Sequence, residues 1–337
     1  MKRITLFIVL GFSISFCGSF AQSKPIHGVI KTFHIVSPGG WDYIKVNNGK
    51  IYVSHSSQVN ILDETTGDSV GVITGTMGVH GIAFDNSLGK GFTSNGRSNT
   101  VTEFDLKTNN ILAQIGTGKG PDAIMFEPFN KTIITCNGGG NELSVIDPKQ
   151  DKVVVTIPLP GRPEEAVSDG KGMLYVNLED KGEIAVIDLK LNKVIKTYTL
   201  AKEAGPSGLA IDTKTNRLFS ACSDTKQLMV LDAKTGKIVA SLPMGDGCDG
   251  DLFDNGTKMI YTSNGEGTIT AIKEISADKY EVVETIKTKP GARTSAIDEK
   301  NHLIFLPTAD FEPRDPKATQ RERRKMIPGT FQVLVVQ

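Results

Sequence analysis

Short apolar segments separated by turns follow one another along the chain, and their pattern repeats. The most regular part is a strand that ends in an acid, as in Val145-Ile146-Asp147. The acids that end the five clearest copies are Asp63, Asp105, Asp147, Asp188 and Asp232, at successive spacings of 42, 42, 41 and 44 residues. Ala271-Ile272-Lys273 continues the series 41 residues later, with a Lys in place of the acid. A nearly constant period of this length indicates a repeat protein.

Each repeat reads as four short strands. After the strand that ends in the acid come a turn and an apolar strand, as in residues 237–242. A Gly/Pro turn and a third strand, such as residues 209–212, follow. A Tyr-containing strand then precedes the next strand that ends in an acid. Such strands, rich in Val, Ile, Thr and Tyr and separated by Gly, Asn and Asp turns, cannot bury their faces alone. Four-stranded units that stack radially at this period predict a β-propeller.

The number of units predicts seven blades. Six complete units run from Tyr43 to about Thr294, and a seventh, which starts at Ser295, is one strand short when it ends on residues 331–336. Residues 27–35 read like the missing outer strand, and pairing them with the C-terminal strand would close the ring and cover an exposed edge. We therefore expect an all-β fold: a seven-bladed β-propeller of four-stranded blades, closed by the N-terminal strand, in one domain over residues 22–337.

Several repeats carry a Tyr-containing tetrad or a Gly-Pro turn. The clearest segments are Tyr52-Val53-Ser54-His55, Tyr175-Val176-Asn177, Tyr261-Thr262-Ser263-Asn264, Gly120-Pro121 and Gly205-Pro206. Together with the Val-Ile-Asp strands, these segments form a sequence pattern that resembles the YVTN-repeat family of seven-bladed propellers. This family includes YncE-like periplasmic and secreted proteins. The resemblance implies the fold but not a function, because this repeat is a scaffold for binding proteins and enzymes alike. Several repeats depart from the family pattern. Residues 219–222 replace the tetrad, and the turn Pro is replaced by Trp41, Val79, Cys248 and Ala292.

The first residues read as an export signal. Lys2 and Arg3 precede an apolar stretch over residues 4–16, and Ser19-Phe20-Ala21 places small residues three and one positions before a cleavage point. The apolar stretch is too short for a stable spanning helix. We expect residues 1–21 to be a signal peptide and the protein to be exported, periplasmic or secreted. Lipidation at Cys17 is disfavoured because the bulky Phe16 precedes it.

Composition narrows the class of function. The 337 residues carry 38 basic and 38 acidic side chains, and 39% are hydrophobic. The apolar fraction is too high for a disordered chain, and the balanced charge argues against a protein that mainly neutralises phosphate. Single-stranded DNA binding, which the resemblance to YncE-like proteins implies, would need a basic groove with stacking aromatics. The sequence holds one Trp, so nucleic acid is a disfavoured partner.

Repeat alignment places two rings of side chains on one face of the propeller. Loops that enter the innermost strand of each blade lie on the same face as the loops between the second and third strands. The turn ring, which borders the central funnel, consists of Asp42, His80, Asp122, Glu164, Ser207, Asp249 and Arg293. The second ring, one strand further out, consists of His55, Asn95, Asn137, Asn177, Ser223 and Asn264.

The turn ring is the candidate binding site. Its four carboxylates, one His and one Arg converge from different blades on one funnel, which is the usual setting of a ligand site. Like charges held together raise carboxylate pKa values or recruit a cation, so Asp42, Asp122, Glu164 and Asp249 are possible metal ligands. The alternative is that these groups face a hydrated channel and that Asp and Asn only satisfy turn backbone. That alternative does not explain His80 or Arg293.

Trp41 and the two histidines on this face have two interpretations each. Trp41, the only Trp, is either a stacking platform at the funnel rim or a wedge between the first and last blades. His55 and His80 are either metal ligands with Asp42 or Asp122, or histidines that hydrogen-bond locally. A single His per blade, without a His-x-His or His-x-x-x-His motif, favours the local role.

The cysteines and one long insertion complete the candidates. In an oxidising compartment Cys222 and Cys248, in adjacent blades on the same face, are the pair expected to form a disulfide, with Cys136 left reduced. Residues 308–328 interrupt the last blade by about twenty residues, well above the usual loop length. This excursion should rise on the face of the two rings, where it is either a basic lid or a solvated linker.

Three functions remain open from the sequence. The first is a monomeric binding protein that holds a small polar ligand, a cation or a protein partner at the funnel through Trp41 and both rings. The second is a metal-assisted lyase or hydrolase on the same face, with His80 as general base and a divalent ion held by the ring carboxylates. The third is single-stranded DNA binding. The sequence contains no Gly-x-Ser-x-Gly elbow, phosphate loop or Cys-x-x-Cys-His motif, which favours the binding protein.

Overall fold

The computed structural model describes residues 27–313 and 324–337. The predicted signal peptide, Cys17 and the basic centre of the excursion lie outside the described residues. Across these ranges the fold consists of 28 strands in seven four-stranded antiparallel sheets. The prediction of a seven-bladed propeller of four-stranded blades is confirmed. No helix in the described ranges is long and apolar enough to cross a membrane.

The blades are numbered along the chain, each from its innermost to its outermost strand. Blade 1 contains β2 (Trp41–Asn47), β3 (Lys50–His55), β4 (Gln58–Asp63) and β5 (Ser69–Thr74). Blade 2 contains β6 (Val79–Asp85), β7 (Lys90–Asn95), β8 (Thr100–Asp105) and β9 (Ile111–Gly116). Blade 3 contains β10 (Pro121–Glu127), β11 (Thr132–Asn137), β12 (Glu142–Asp147) and β13 (Lys152–Pro158). Blade 4 contains β14 (Pro163–Ser168), β15 (Met173–Leu178), β16 (Glu183–Asp188) and β17 (Lys193–Thr199).

The remaining blades follow the same order until the last. Blade 5 contains β18 (Pro206–Asp212), β19 (Arg217–Cys222), β20 (Gln227–Asp232) and β21 (Ile238–Pro243). Blade 6 contains β22 (Cys248–Asp254), β23 (Met259–Asn264), β24 (Thr268–Ser276) and β25 (Lys279–Lys287). Blade 7 contains β26 (Ala296–Asp298), β27 (Leu303–Thr308), β28 (Gln332–Val336) and, as its outer strand, β1 (Val29–His34).

Strand β1 closes the ring. It pairs antiparallel with β28 from Val29 opposite Val336 to His34 opposite Gln332. Backbone hydrogen bonds between Gly28 and Gln337, of 3.0 and 3.2 Å, extend the pairing by one residue at its end. The predicted pairing of the N-terminal strand with the C-terminal blade is therefore present, and it covers the edge that β28 would otherwise expose.

The apolar core lies between neighbouring blades. One cluster joins Ile134 of blade 3 to Val176 of blade 4, and another joins blades 7 and 1 around Phe305 and Phe331. The middle strands are buried along nearly their whole length, whereas an outer strand such as β13 alternates exposed and buried residues. This explains why the middle strands read as continuous apolar runs and the outer strands as alternating ones.

The recurring acid shapes the turn after the third strand. Asp63 Oδ1 accepts hydrogen bonds of 2.9 and 2.8 Å from the backbone N–H groups of Thr65 and Thr66. Asp105 does the same for Lys107 and Thr108 at 3.0 and 2.7 Å. Because these bonds favour the ionised carboxylate, they lower the pKa values of Asp63 and Asp105. The most visible signal of the repeat therefore has a structural origin.

The two arms of the excursion pair at its base. Phe311 forms an isolated antiparallel bridge with Met326, and Glu312 N–H donates to Lys325 O at 2.8 Å. The excursion connects β27 to β28, the second and third strands of blade 7. Its base thus lies on the face predicted from the strand order.

Candidate functional site

An irregularity at the start of the inner strands positions the turn ring. In blades 1–6 the register between the first and second strands shifts near the start of the first strand. In blade 1, Trp41 pairs with His55 and Ile44 with Val53, so Asp42 lies within the bulge. A bulge bends the strand and re-aims a side chain. The ring residue of each of these blades therefore leaves the regular sheet geometry at the same point.

Three ring residues meet at one end of the funnel. His80 Nδ1 lies 2.6 Å from Asp42 Oδ2 and 3.5 Å from Asp122 Oδ1. One ligand atom from each of the three side chains lies within 4.8 Å of the other two. The three residues come from blades 1, 2 and 3 and are partly buried. We call them the His80 triad.

Arg293 links the triad to blade 6. Its Nε donates to Asp249 Oδ2 at 2.5 Å, and one terminal nitrogen donates to Asp42 Oδ1 at 3.4 Å. Thr294 Oγ1 donates to the backbone oxygen of Asp42 at 2.6 Å. The short last inner strand is thereby joined to blade 1 at the funnel. Arg293 is occupied by two carboxylates of the protein, which limits its capacity to bind an anionic ligand.

Glu164 has one long ion pair, with Arg162, and its buried Oε2 atom forms no hydrogen bond with a described residue. The nearest guanidinium nitrogen, of Arg162, is 3.9 Å away, and Arg162 instead pairs with Glu179 at 3.0 Å. Burial, with the charges of Asp122 and Asp249, raises the pKa of Glu164 to about 9. Glu164 is therefore protonated at neutral pH when no cation is bound.

The other titratable groups of the ring show the same crowding. Burial raises the pKa of Asp122 to about 6, and it also raises that of Asp249 against the charge of Arg293. Burial alone would lower the pKa of His80, but its hydrogen bond to Asp42 and the charges of Asp122 and Asp42 outweigh this and raise it. The remaining ring residue, Ser207 of blade 5, does not face the funnel, because its hydroxyl donates to Cys248 O at 2.9 Å.

The second ring is buried and differs from its prediction. Asn95, Asn137 and Asn264 are fully buried and His55 nearly so, and all four hydrogen-bond inside the protein. For example, Asn137 Oδ1 accepts from Thr135 Oγ1 at 2.9 Å. These residues tie strands together and present no exposed side chain to a ligand. Their predicted place in the binding site is therefore not supported, because the hydroxyls of the sheet already satisfy their amides.

Strand register also changes two members of the second ring. Pro163 pairs with Leu178 and Pro206 with Cys222, where blade 3 pairs Pro121 with Asn137. The equivalent residues of blades 4 and 5 are thus Leu178 and Cys222, not the predicted Asn177 and Ser223. Asn177 Nδ2 instead donates to Ser207 O and Gly208 O in the next blade.

Trp41 and His55 form the joint between the first and last blades. The Trp41 ring stacks on Phe331 with centroids 5.4 Å apart, and the His55 ring stacks on the same Phe331 at 4.1 Å. His55 Nε2 donates to Gly39 O at 2.9 Å, and burial lowers the pKa of His55. These contacts agree with Trp41 as a wedge and with His55 as a neutral, locally bonded imidazole.

The structure has no Cys222–Cys248 bond among the residues that it describes, and this disulfide stays a prediction. Cys136, Cys222 and Cys248 are buried free thiols. Cys222 Sγ lies 3.7 Å from Ser220 O and Cys248 Sγ lies 3.4 Å from Gly250 O, so each thiol contacts a carbonyl of its own strand. Burial raises the pKa of Cys222 to about 12 and that of Cys248 further, which suppresses the reactive thiolate.

A groove of about 610 Å³ lies on the funnel rim beside Arg293. Trp41 lines it together with Phe311, Met326 and Arg324 from the base of the excursion. The sequence predicts the excursion as a whole to lie on this face, and the Phe311–Met326 bridge shows which of its residues reach the rim. A larger cavity, of about 800 Å³, lies where blades 7 and 1 meet, and its lining residues, such as Glu64 and Lys300, belong to neither ring.

Comparison with known proteins agrees with the fold. No protein-family model matches the chain. The chain is 22% identical over 238 residues to the uncharacterized protein YncE of Salmonella typhimurium, which covers 66% of this chain and 67% of that protein. The YncE protein of Salmonella typhi is equally similar. With the seven blades, this confirms the expected resemblance to YncE-like propellers.

A solved structure shows the same architecture. Kuenenia stuttgartiensis hydrazine synthase superposes with a TM-score of 0.71, covering 81% of this chain and 94% of that chain at 16% identity. At this identity the likeness concerns the fold alone. The function of this chain must therefore be argued from its own side chains.

Proposed function

We propose that this protein is an extracytoplasmic binding propeller whose funnel holds a divalent cation through the His80 triad. The observation that supports this proposal is that Asp42, His80 and Asp122 offer three ligand atoms within 4.8 Å of one another. Ligand atoms at about 2.0–2.2 Å from a common ion lie roughly 3–3.5 Å apart, near the 2.6 and 3.5 Å that separate His80 Nδ1 from Asp42 and Asp122. Three separate blades supply them, so the rigid ring sets the geometry.

The surrounding charges favour a cation over an anion. Glu164 has a buried oxygen without a hydrogen bond to a described residue, and the pKa of Asp122 is raised to about 6 by burial. A bound cation would let both carboxylates ionise, which removes the cost of their crowding. One imidazole nitrogen with carboxylate oxygens suits a first-row ion such as Mn²⁺ or Zn²⁺. The carboxylates of the turn ring, when ionised, would repel a phosphate backbone, which disfavours single-stranded DNA binding.

Titration of the chelator-treated protein tests this function. We expect Mn²⁺ or Zn²⁺ to bind by calorimetry and to raise the melting temperature, since a ligand specific to the folded state stabilises it. His80→Gln and Asp122→Asn should weaken binding by about tenfold or more. His302→Gln is the matched control, because His302 Nδ1 forms a similar 2.6 Å contact with Asp254 away from the funnel. Equal binding in all three variants would refute the site.

A further inference from the structure

A cavity distinct from the rim groove and from the cavity between blades 7 and 1 lies on the propeller axis beneath the turn ring. It encloses about 320 Å³, and its walls include Tyr43 of blade 1, Glu165 of blade 4 and Asp251 of blade 6. Inner strands from opposite sides of a seven-membered ring can line one space only near its axis. Asp249 belongs to both the turn ring and this wall, so the cavity lies directly below the funnel. We call it the axial cavity.

Opposite charges face this cavity without pairing. Lys45 and Glu165 both line it. Neither forms an ion pair within 4.0 Å, or a hydrogen bond to another side chain, among the residues that the structure describes. The positive charge of Lys45 nevertheless lowers the pKa of Glu165, which burial raises. The two side chains thus line the same cavity without a direct contact, and unpaired charges withdrawn from water are costly.

Each of the two charged side chains has a second polar side chain on its side of the cavity. Tyr43 and Lys45 are both on β2, and both line the axial cavity. A phenol and an ammonium side by side can donate to one carboxylate. On the acidic side, Asp251 is 8% exposed, and neither carboxylate oxygen has a hydrogen-bond partner among the described residues. Its strand position is Ile or Leu in other blades, such as Ile44 and Leu209, so packing does not require an acid there.

We propose that the axial cavity binds a small zwitterion, whose carboxylate is held by Lys45 and Tyr43 and whose ammonium is held by Glu165 with Asp251. The volume of about 320 Å³ suits a ligand of about ten non-hydrogen atoms. Apolar wall residues such as Val167, Leu209 and Ile297 would contact the carbon chain between the two charges. This site is separate from the His80 triad and does not depend on the cation proposed there.

A series of ω-amino acids from glycine to 6-aminohexanoate tests the proposal, because chain length measures the gap between the two charges. Calorimetry on the full chain should show binding with an optimum at one length. Butylamine and butanoate, each with one charge, should bind at least about thirtyfold more weakly than the best amino acid. Failure of the whole series to bind, or equally tight binding of a single-charge analogue, would overturn the zwitterion site.

Variants locate the site. Lys45→Met and Glu165→Gln, which nearly keep side-chain volume, should each weaken binding of the best amino acid by about thirtyfold or more. Tyr43→Phe should have a smaller effect in the same direction. Lys181→Met removes a surface lysine paired with Asp180 at 3.3 Å and should leave binding unchanged. Unchanged binding in Lys45→Met would overturn the assignment, and unchanged Mn²⁺ or Zn²⁺ binding in that variant would show that the funnel is intact.

Discussion

At the scale of single residues, His80 is held between two carboxylates that both attract its proton. Its pKa is raised by Asp42 and Asp122, although burial opposes the shift. A cation at Nδ1 must displace that proton and also requires ionised Asp122, whose pKa is about 6. Protons and the cation therefore compete for the same atoms.

The affinity of the triad for Mn²⁺ or Zn²⁺ should rise with pH. Between about pH 5.5 and 7.5 we expect it to tighten by roughly tenfold per pH unit, since binding releases a proton. Calorimetry in two buffers with different ionisation enthalpies measures the number of protons released. An affinity independent of pH over this range would contradict the assignment of His80 as a ligand.

Glu164 should destabilise the metal-free protein at alkaline pH. Its pKa is about 9 in the folded protein, above the ordinary value of 4.5, so the folded state binds the proton more tightly than the unfolded state. The resulting stability is present below about pH 4.5 and is lost as the pH rises toward 9. Glu164→Gln should therefore raise the free energy of unfolding by about 1–3 kcal/mol at pH 8 and have little effect at pH 4.

Urea unfolding of the metal-free protein at both pH values measures this difference. Glu142→Gln is a suitable control, because it makes the same change at a partly exposed acid at the start of β12. A stabilisation of Glu164→Gln that is the same at pH 4 and pH 8 would contradict the raised pKa.

At the scale of strands and blades, the second ring binds strands to one another. Asn137 on β11 accepts from Thr135 Oγ1 and donates to Ser144 Oγ on β12 at 2.8 Å. Removal of the buried amide breaks both bonds and leaves the Thr135 hydroxyl without its acceptor, which costs about 1–3 kcal/mol. Asn137→Ala should lower the free energy of unfolding by that amount and leave cation affinity unchanged.

Urea unfolding and calorimetry on the same Asn137→Ala preparation separate the two roles. Thr132→Ala is a control on the same strand, because the Thr132 hydroxyl has no hydrogen-bond partner among the described residues. Loss of cation binding in a folded Asn137→Ala protein would return the second ring to the binding site.

The strands themselves were predictable from the sequence, but their register was not fully so. Apolar pattern and turn residues locate the Tyr-containing strands correctly, and in blades 1–6 the turn-ring residue is the second residue of the inner strand. In blade 4 the residue three places after Tyr175 is Leu178, whereas the sequence comparison aligned the polar Asn177 with Asn137. Because side chains alternate between faces of a strand, one residue of displacement moves a side chain to a different environment.

At the scale of the whole molecule, the missing strand of the last repeat already predicts a closed ring. Distances between blades are not predictable from the repeat, because the 2.6 Å contact of His80 with Asp42 depends on how blades 1 and 2 pack. The rim groove and the axial cavity also follow from the assembled ring and from no single repeat. Sequence spacing identifies the ring residues, and only packing decides that Ser207 turns away while the buried oxygen of Glu164 forms no hydrogen bond with a described residue.

Removal of β1 tests the closure. A chain that starts at Ser37 would expose the edge of β28 and lose the burial of Phe33 and Ile35, which are 6% and 5% exposed. We expect a lower free energy of unfolding and self-association through the free edge. Chemical unfolding and light scattering measure both, with a chain that starts at His27 as control. A shortened chain as stable and as monomeric as the control would contradict the closure.

The antiparallel closure has a mechanical consequence. Gly28 and Gln337 are hydrogen-bonded to each other at one end of the β1–β28 pair, so chain segments attached before and after them would leave the molecule side by side. A force that pulls those segments apart would load the pair one hydrogen bond at a time, as in opening a zipper. The seam that completes the circle is then its first point of failure under tension, while the other six blades carry no load until it has opened.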